Sequence, residues 1–248
     1  MSSHSLFVVA PYVALASLLL VIPLRYQHAQ ARGRLTRRER ALALRLFGRN
    51  RAWRLGMLGV LVSHALMLLL PAGILSWNQE PLRMMVLEVL FSVTGVVALF
   101  GLLALIVRYA RDPALRAYSS MADVALLALL VVQLLSGMSV TVLYRWASSW
   151  SAVTLTPYVH SLALLSPRLP LVEAMPYLVK LHVFSAFSAL AVLPFTHLPD
   201  AVLVPAGRVL QAATAPVVRL AESGRAFVVQ RGQRLLHATL WREEDEVG

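Results

Sequence analysis

Long apolar runs alternate along the chain with short connections that are basic or rich in turn residues. Five of these runs, at roughly 6–24, 55–75, 84–107, 122–144 and 176–197, approach the ~20 residues that a helix needs to cross a ~30 Å hydrocarbon layer. The second opens Trp53-Arg54-Leu55-Gly56-Met57-Leu58-Gly59 and runs on through Leu70 and Pro71. The pattern predicts an all-α polytopic membrane protein, with five transmembrane helices in an antiparallel bundle over residues 1–200. A tail over 201–248 follows, where apolar residues recur among arginines without reaching spanning length. Only Met1 to Ser5 precede the first run, with no basic stretch and no clear small-residue cleavage site. That run therefore reads as a retained helix rather than a signal peptide.

Composition supports a lipid setting and shortens the list of possible cofactors. Apolar residues make up 58% of the chain and charged ones 14%, and the mean hydropathy is +0.69, outside the soluble range. With no cysteine, disulfides, iron–sulfur ligation and thiolate zinc sites are excluded, leaving His, Met or oxygen to hold a cofactor. A net charge of +11 would suggest nucleic acid in a soluble protein. Here the basic residues sit between apolar runs, so they are topology signals and no nucleic-acid partner is expected.

Their distribution sets an orientation. Ten arginines lie between the first two runs, from Arg25 to Arg54; Arg108, Arg111 and Arg116 follow the third, and six more lie in the tail. The opposite connections carry Arg83, Arg145, Arg168 and Lys180. The positive-inside rule then puts the N-terminus outside and the C-terminus in the cytoplasm. The stretch from Arg34 to Phe47, with leucines and alanines at helical spacing among arginines, reads as an amphipathic surface helix and a docking surface for a cytoplasmic partner.

The chemistry that stands out is histidine. His64 lies near the middle of the second run and His182 well inside the fifth. A buried imidazole in hydrocarbon is costly unless its lone pair is used, so an intramembrane pair is a functional hypothesis: two imidazoles can ligate one haem iron from opposite faces. Other polar residues read more plainly. His160, in the connection from Trp146 to Met175 that is rich in Ser, Pro, Tyr and Trp as interfacial loops are, is expected to be solvated; Asp123 falls near a helix end. Glu88 reads as a hydrogen-bonded structural group, with proton transfer as the alternative. The methionines read as packing residues. No phosphate-cradling glycine loop, nucleophile elbow or paired intramembrane carboxylates are present, so soluble-type catalysis is not indicated.

Several local patterns then occur in a specific order. They are Pro11-Tyr12-Val13-Ala14 and Leu24-Arg25-Tyr26, Leu55 to Val60 with Ser63-His64, Ser120-Met121-Ala122-Asp123, Leu181-His182, Pro194-Phe195 and Val204-Pro205. In that order and spacing the chain resembles the gamma subunit of respiratory nitrate reductase, a five-helix cytochrome b membrane subunit, over about 190 of its 248 residues. The resemblance implies two stacked b haems between helices two and five. It places the outer haem on His64 and His182, and the inner haem on positions that are Arg54 and Asp200 here, ten residues before His64 and eighteen after His182. Ten residues rise about 15 Å and eighteen about 27 Å along a helix, consistent with one haem at each depth. Arginine has no free lone pair, and a carboxylate would be an unusual ligand for a low-spin b haem. The expectation is therefore a single haem b, with Arg54 and Asp200 at matched depth able to form an ion pair. His197, three residues before Asp200, is the one candidate substitute ligand.

The resemblance further implies that quinol from the membrane pool is oxidised near the outer haem. Electrons would pass to an iron–sulfur subunit with a molybdenum catalytic subunit behind it. Ser63, at the family's small-residue position, and Arg83, roughly matching a basic residue of that site, are the quinone-binding candidates. Two other readings stand beside this one: a membrane anchor with a structural or vestigial haem, and a haem-free transporter. The transporter lacks support from repeat-related broken helices or charged midplane pairs.

Overall fold

The structure is a computed structural model that describes residues 4–31, 42, 44–48 and 50–199; these fall in one compact unit, Met1–Ala201. The expectations for the Arg34 stretch up to Arg40, for Asp200 and for the tail lie outside the described residues. Among the described residues there is no strand, and five helices are long and apolar enough to span a membrane: Ser5–Arg25, Arg51–Leu69, Pro81–Arg111, Met121–Leu143 and Tyr177–Phe195. In chain order the helices are α1 (Ala10–Ala31, entered through a wide turn at Ser5–Val9), α2 (Arg51–Leu69), α3 (Pro71–Trp77), α4 (Pro81–Arg111) and α5 (Pro113–Tyr118). Then come α6 (Met121–Leu143), α7 (Ala147–Val153), α8 (Leu155–Ala163), α9 (Pro170–Glu173) and α10 (Tyr177–Val192), which tightens into a 3₁₀ turn at Leu193–Phe195.

Two of the long helices begin where the sequence supplies a side-chain cap. Asn50 caps α2, its Oδ1 accepting from Trp53 N at 3.2 Å, while its Nδ2 donates to Gly101 O on α4 at 2.9 Å. Ser120 and Asp123 form a reciprocal capping box at the start of α6, satisfying donors that an α-helix leaves orphaned. Pro81 and Pro113 occupy first-turn positions, where a missing N–H costs nothing.

The second apolar run does not continue through Pro71 as its hydropathy suggested. α2 stops at Leu69 and the chain turns at Leu70 (φ −126°, ψ 46°) into α3. Pro71 has no N–H to offer the carbonyl of Met67 and its ring crowds the preceding turn. The freed end is held by α8: Thr156 Oγ1 donates to Met67 O at 3.0 Å and His160 Nε2 to Leu68 O at 2.7 Å. His160 is exposed, but it has a partner and pins the end of the helix that carries His64. The connection from Trp146 to Met175 likewise is not simple loop but contains α7, α8 and α9. Tyr158 on α8 is fully buried and donates to Phe7 O at 2.7 Å. Burial, and secondarily Tyr12, push its hydroxyl above the usual phenol range, so it remains a donor at any ordinary pH.

The long helices pack in the order α2, α4, α6, α10, α1. The α2–α4 seam is exceptionally close. A Cβ at Gly56 would lie 2.3 Å from Ala98 N, one at Gly101 2.3 Å from Trp53 N, and one at Gly59 2.5 Å from Thr94 Cγ2. Small residues of this kind let helix backbones meet in lipid, where hydrophobic driving force between helices is absent. Outward residues such as Leu58, Leu61, Val86, Val89 and Phe100 are exposed and face the hydrocarbon.

The buried side chains form two clusters. One fills the arginine-rich half: Trp53, Leu102, Leu105, Leu126, Leu127 and Leu130, with Leu46 and Phe47 of the 44–48 turn folded beneath. That turn is fixed by an Arg45–Asp112 ion pair and by Arg108 donating to Arg45 O at 3.1 Å. The other cluster, in the opposite half, joins Phe7, Val140, Tyr158, Leu162, Val172, Val179 and Val183. On α6 the first cluster ends at Leu134 and the second begins at Val140. The two histidines occupy the level between them.

Candidate functional site

His64 on α2 and His182 on α10 face each other with ring centroids 6.0 Å apart and planes inclined by 36°. Their helices each lean mainly on other helices, α2 on α4 and α10 on α6 and α1, so the imidazoles meet across a gap between α2 and α10. His64 Nδ1 lies 2.8 Å from Val60 O, one turn back on its own helix. His182 Nδ1 lies 3.1 Å from Gln133 O on α6. A backbone carbonyl can only accept, so both rings carry their proton on Nδ1 and present the Nε2 lone pair.

α6 builds the seat of His182. A Cβ at Gly137 would fall 2.8 Å from His182 Cε1, so only glycine lets the ring lie against that helix. Ser136 Oγ sits 3.1 Å from Nδ1, and Ser185 Oγ donates to Gln133 Oε1 at 2.5 Å. The amide so anchored places its Nε2 3.1 Å from His182 Nε2. That amide is a donor to the lone pair that a metal would take, so coordination through His182 requires the carboxamide to turn aside while the Gln133 carbonyl keeps the tautomer.

The donor set is selective. A ring nitrogen about 2 Å from a shared metal on each side would put two imidazole centroids a little over ~6 Å apart, close to the separation seen. Among the described residues no group of three or more His, Asp or Glu side chains could hold a metal ion, whereas zinc asks for three or four protein ligands. A macrocycle that brings four equatorial nitrogens of its own asks for two. His64 is exposed, and among the described residues its Nε2 has no partner, a costly arrangement in hydrocarbon unless a ligand uses that lone pair. The two residues fit a haem.

The remaining candidates are dispersed. Ser63 is buried, with its hydroxyl donating to Val60 O at 2.8 Å, so it shares its acceptor with His64. Arg83 lies at the far end of α4, its guanidinium 5.5 Å from the centroid of Trp77, whose Nε1 donates to Arg83 O at 3.1 Å. Arg54 is exposed on the first turn of α2; its expected partner Asp200 is outside the described residues. His197 turns toward α6: its Nδ1 is 2.6 Å from Asp123 Oδ2, its backbone N–H donates to Asp123 Oδ1 at 2.8 Å, and its ring lies 4.3 Å from that of Tyr118. Asp123, fully buried, also accepts from Ser120 N and Oγ at 2.8 Å. It ties the end of the fifth span to the start of the fourth.

The five spans and the imidazole pair set a clear expectation for relatives, and similarity along the chain decides it. The description "nitrate reductase gamma subunit" belongs to the family model that matches residues 3–218. The chain belongs to the nitrate reductase gamma subunit family. The nitrate reductase gamma chain of Bacillus subtilis (strain 168) is 26% identical over 209 residues, which cover 83% of this chain and 93% of that one. This gamma-type subunit is a multi-pass protein of a bacterial membrane and a membrane subunit of a nitrate-reductase-like complex, with an electron-transfer role in an oxidoreductase.

Sequence reasoning missed Gln133, Ser136, Gly137 and Ser185 around His182. A signal was present: three polar or small residues at 133, 136 and 137 lie one helical turn apart in a run of leucine and valine, a spacing that puts them on one face.

Proposed function

We propose that this subunit holds one haem b between His64 and His182, takes electrons from quinol, and passes them to an iron–sulfur partner. The observation that carries the reading is the matched tautomer of two facing imidazoles at the boundary between two apolar clusters. When bound, the haem supplies one-electron carriage. The chain's own contribution is to hold both rings. The Val60 and Gln133 carbonyls fix Nδ1–H and make each Nε2 more basic, as outer hydrogen bonds to ligating histidines do. Gly137 admits the second ring.

A single haem is supported by the arginine-rich half, where Trp53, Leu102, Leu105 and Leu130 pack with Leu46 and Phe47 at the depth of the family's inner site. With Arg54 and Asp200 at that site's ligand positions, we assign it no cofactor. The arginines at this end support a cytoplasmic position for it, with the N-terminus outside. The molybdenum and iron–sulfur subunits then dock there, and quinol from the pool reacts at the opposite side, near Ser63 and Arg83. The test is optical. A naphthoquinol added to the purified chain should reduce the same b-type absorbance that dithionite reduces. Reduction by dithionite but not by quinol would favour the anchor reading, in which the haem only stabilises the fold.

A further inference from the structure

Quinol oxidation releases protons as well as electrons, and neither the facing imidazoles nor Arg83 can take them. His64 and His182 have Nδ1 protonated toward backbone carbonyls and Nε2 assigned to iron in the proposed function, on which this inference rests. Arg83 is a cation at any accessible pH. Among the described residues, the spans contain two carboxylates, Asp123 and Glu88. Asp123 is at the arginine-rich end and its oxygens are taken by His197 and Ser120. Glu88 remains.

Glu88 stands at the right depth. The antiparallel register of α2 and α4, set by Gly56 against Ala98 and Gly59 against Thr94, carries on to place Glu88 opposite residues 65–66. The His64 ring folds back toward Val60, so Glu88 sits about one turn, ~5 Å along the axis, beyond the ring on the loop side. It is seven residues, two turns, before Gly95, whose missing Cβ would meet Met138 Sδ on α6 at 2.8 Å. The same stripe therefore faces the bundle interior.

A polar cluster holds it. Glu88 Oε1 accepts from Ser148 N at 2.7 Å, just after Trp146 turns the chain through a left-handed conformation (φ 63°). Ser148 Oγ and Ser149 Oγ each accept from Asn78 Nδ2 at 2.8 Å. Asn78 Oδ1 is buried and has no hydrogen-bond partner among the described residues; a buried acceptor without a donor is costly. Asn78 lies in the connection between α3 and α4, beside the exposed Gln79 and Glu80. These hydrogen bonds hold the Glu88 carboxylate at the loop end of the bundle, beside the exposed connection.

We infer that Glu88, partly exposed at the loop end of α4, is the proton acceptor of the quinol-oxidising site and releases its protons to water on the outer side. As each quinol O–H bond breaks, the proton goes to the Glu88 carboxylate and the electron to the one-electron carrier on His64 and His182, then to the iron–sulfur partner. Glu88 unloads outward before the second O–H bond breaks. The products are quinone, two protons outside and two electrons inside.

Glu88→Gln separates this role from a structural one, because a glutamine Oε1 accepts from Ser148 N as well as a carboxylate does but cannot take a proton. The variant should keep wild-type haem content and dithionite spectrum, while stopped-flow reduction by a naphthoquinol slows roughly 100-fold, the scale of a lost general base. Glu88→Asp should recover part of that rate. Wild-type speed in Glu88→Gln would overturn the inference and leave the quinol reading standing. A wild-type chain that dithionite reduces and quinol does not would overturn both. If Glu88→Gln does not assemble with haem, Glu88→Asp decides the matter: slower quinol reduction at wild-type haem content supports the inference, and an unchanged rate contradicts it.

Discussion

His182→Ala is expected to yield a chain that inserts and folds but has lost its b-type absorbance almost completely, from one haem to a small residue. The expected loss follows from the geometry of the seat. His182 is the only imidazole that α10 brings against Gln133, Ser136 and Gly137, and among the described residues no other histidine faces His64 across the gap. Removing it leaves iron with one protein ligand in an apolar cleft. The Gln133 backbone carbonyl also loses its Nδ1–H donor, a cost of about 1–3 kcal/mol for a buried polar group, too little to unfold a bundle packed along four helix pairs. Pyridine haemochrome quantitation, paired with circular dichroism on the same sample, checks both halves. Retained haem at wild-type level would show that His182 is not an axial ligand.

Gly101→Val should have the largest effect on stability. Its new Cβ would begin 2.3 Å from Trp53 N and 2.4 Å from Trp53 Cα. Backbone cannot swing aside as a side chain does, so α2 and α4 must separate. Overpacking of this kind costs about 3 kcal/mol or more. It also pulls Asn50 Nδ2 from Gly101 O and loosens Trp53 within the arginine-rich cluster. A denaturation midpoint in mixed micelles, followed by the haem absorbance, should fall clearly below that of wild type; an unchanged midpoint would mean that the seam is looser than described.

The spans were legible because a bilayer imposes one requirement on sequence. Backbone polar groups must be satisfied within the segment, so a spanning helix announces itself as a long apolar run. The ends were less legible. Hydropathy carried the second span past Pro71, because leucine and alanine continue on both sides, yet a missing N–H stops the helix at Leu69. The helices α7 and α8 were hidden for the opposite reason: serine and threonine read as loop, although their hydroxyls bond back to carbonyls within or beside the helices, as Thr154 Oγ1 does to Trp150 O at 2.6 Å and Ser161 Oγ to Tyr158 O at 2.6 Å.

The histidine pair was legible for an electrostatic reason. An imidazole in hydrocarbon is expensive enough to be rare, and two of them stand out without any alignment. Their supports did not stand out, because glutamine, serine and glycine at a helix interface serve packing as often as function. Glu88 shows the same limit. Its residue type and depth were visible in the chain, but its bond from Ser148 N depends on a left-handed turn at Trp146 that composition does not announce.

The central claim is one haem b per chain, held by His64 and His182 and absent from the arginine-rich half. Haem per polypeptide, measured by pyridine haemochrome against quantitative amino-acid analysis on the purified wild-type chain and on His64→Ala, tests it most directly. One haem is expected in the wild type and essentially none in His64→Ala. Two haems in the wild type, or one retained in His64→Ala, would contradict it.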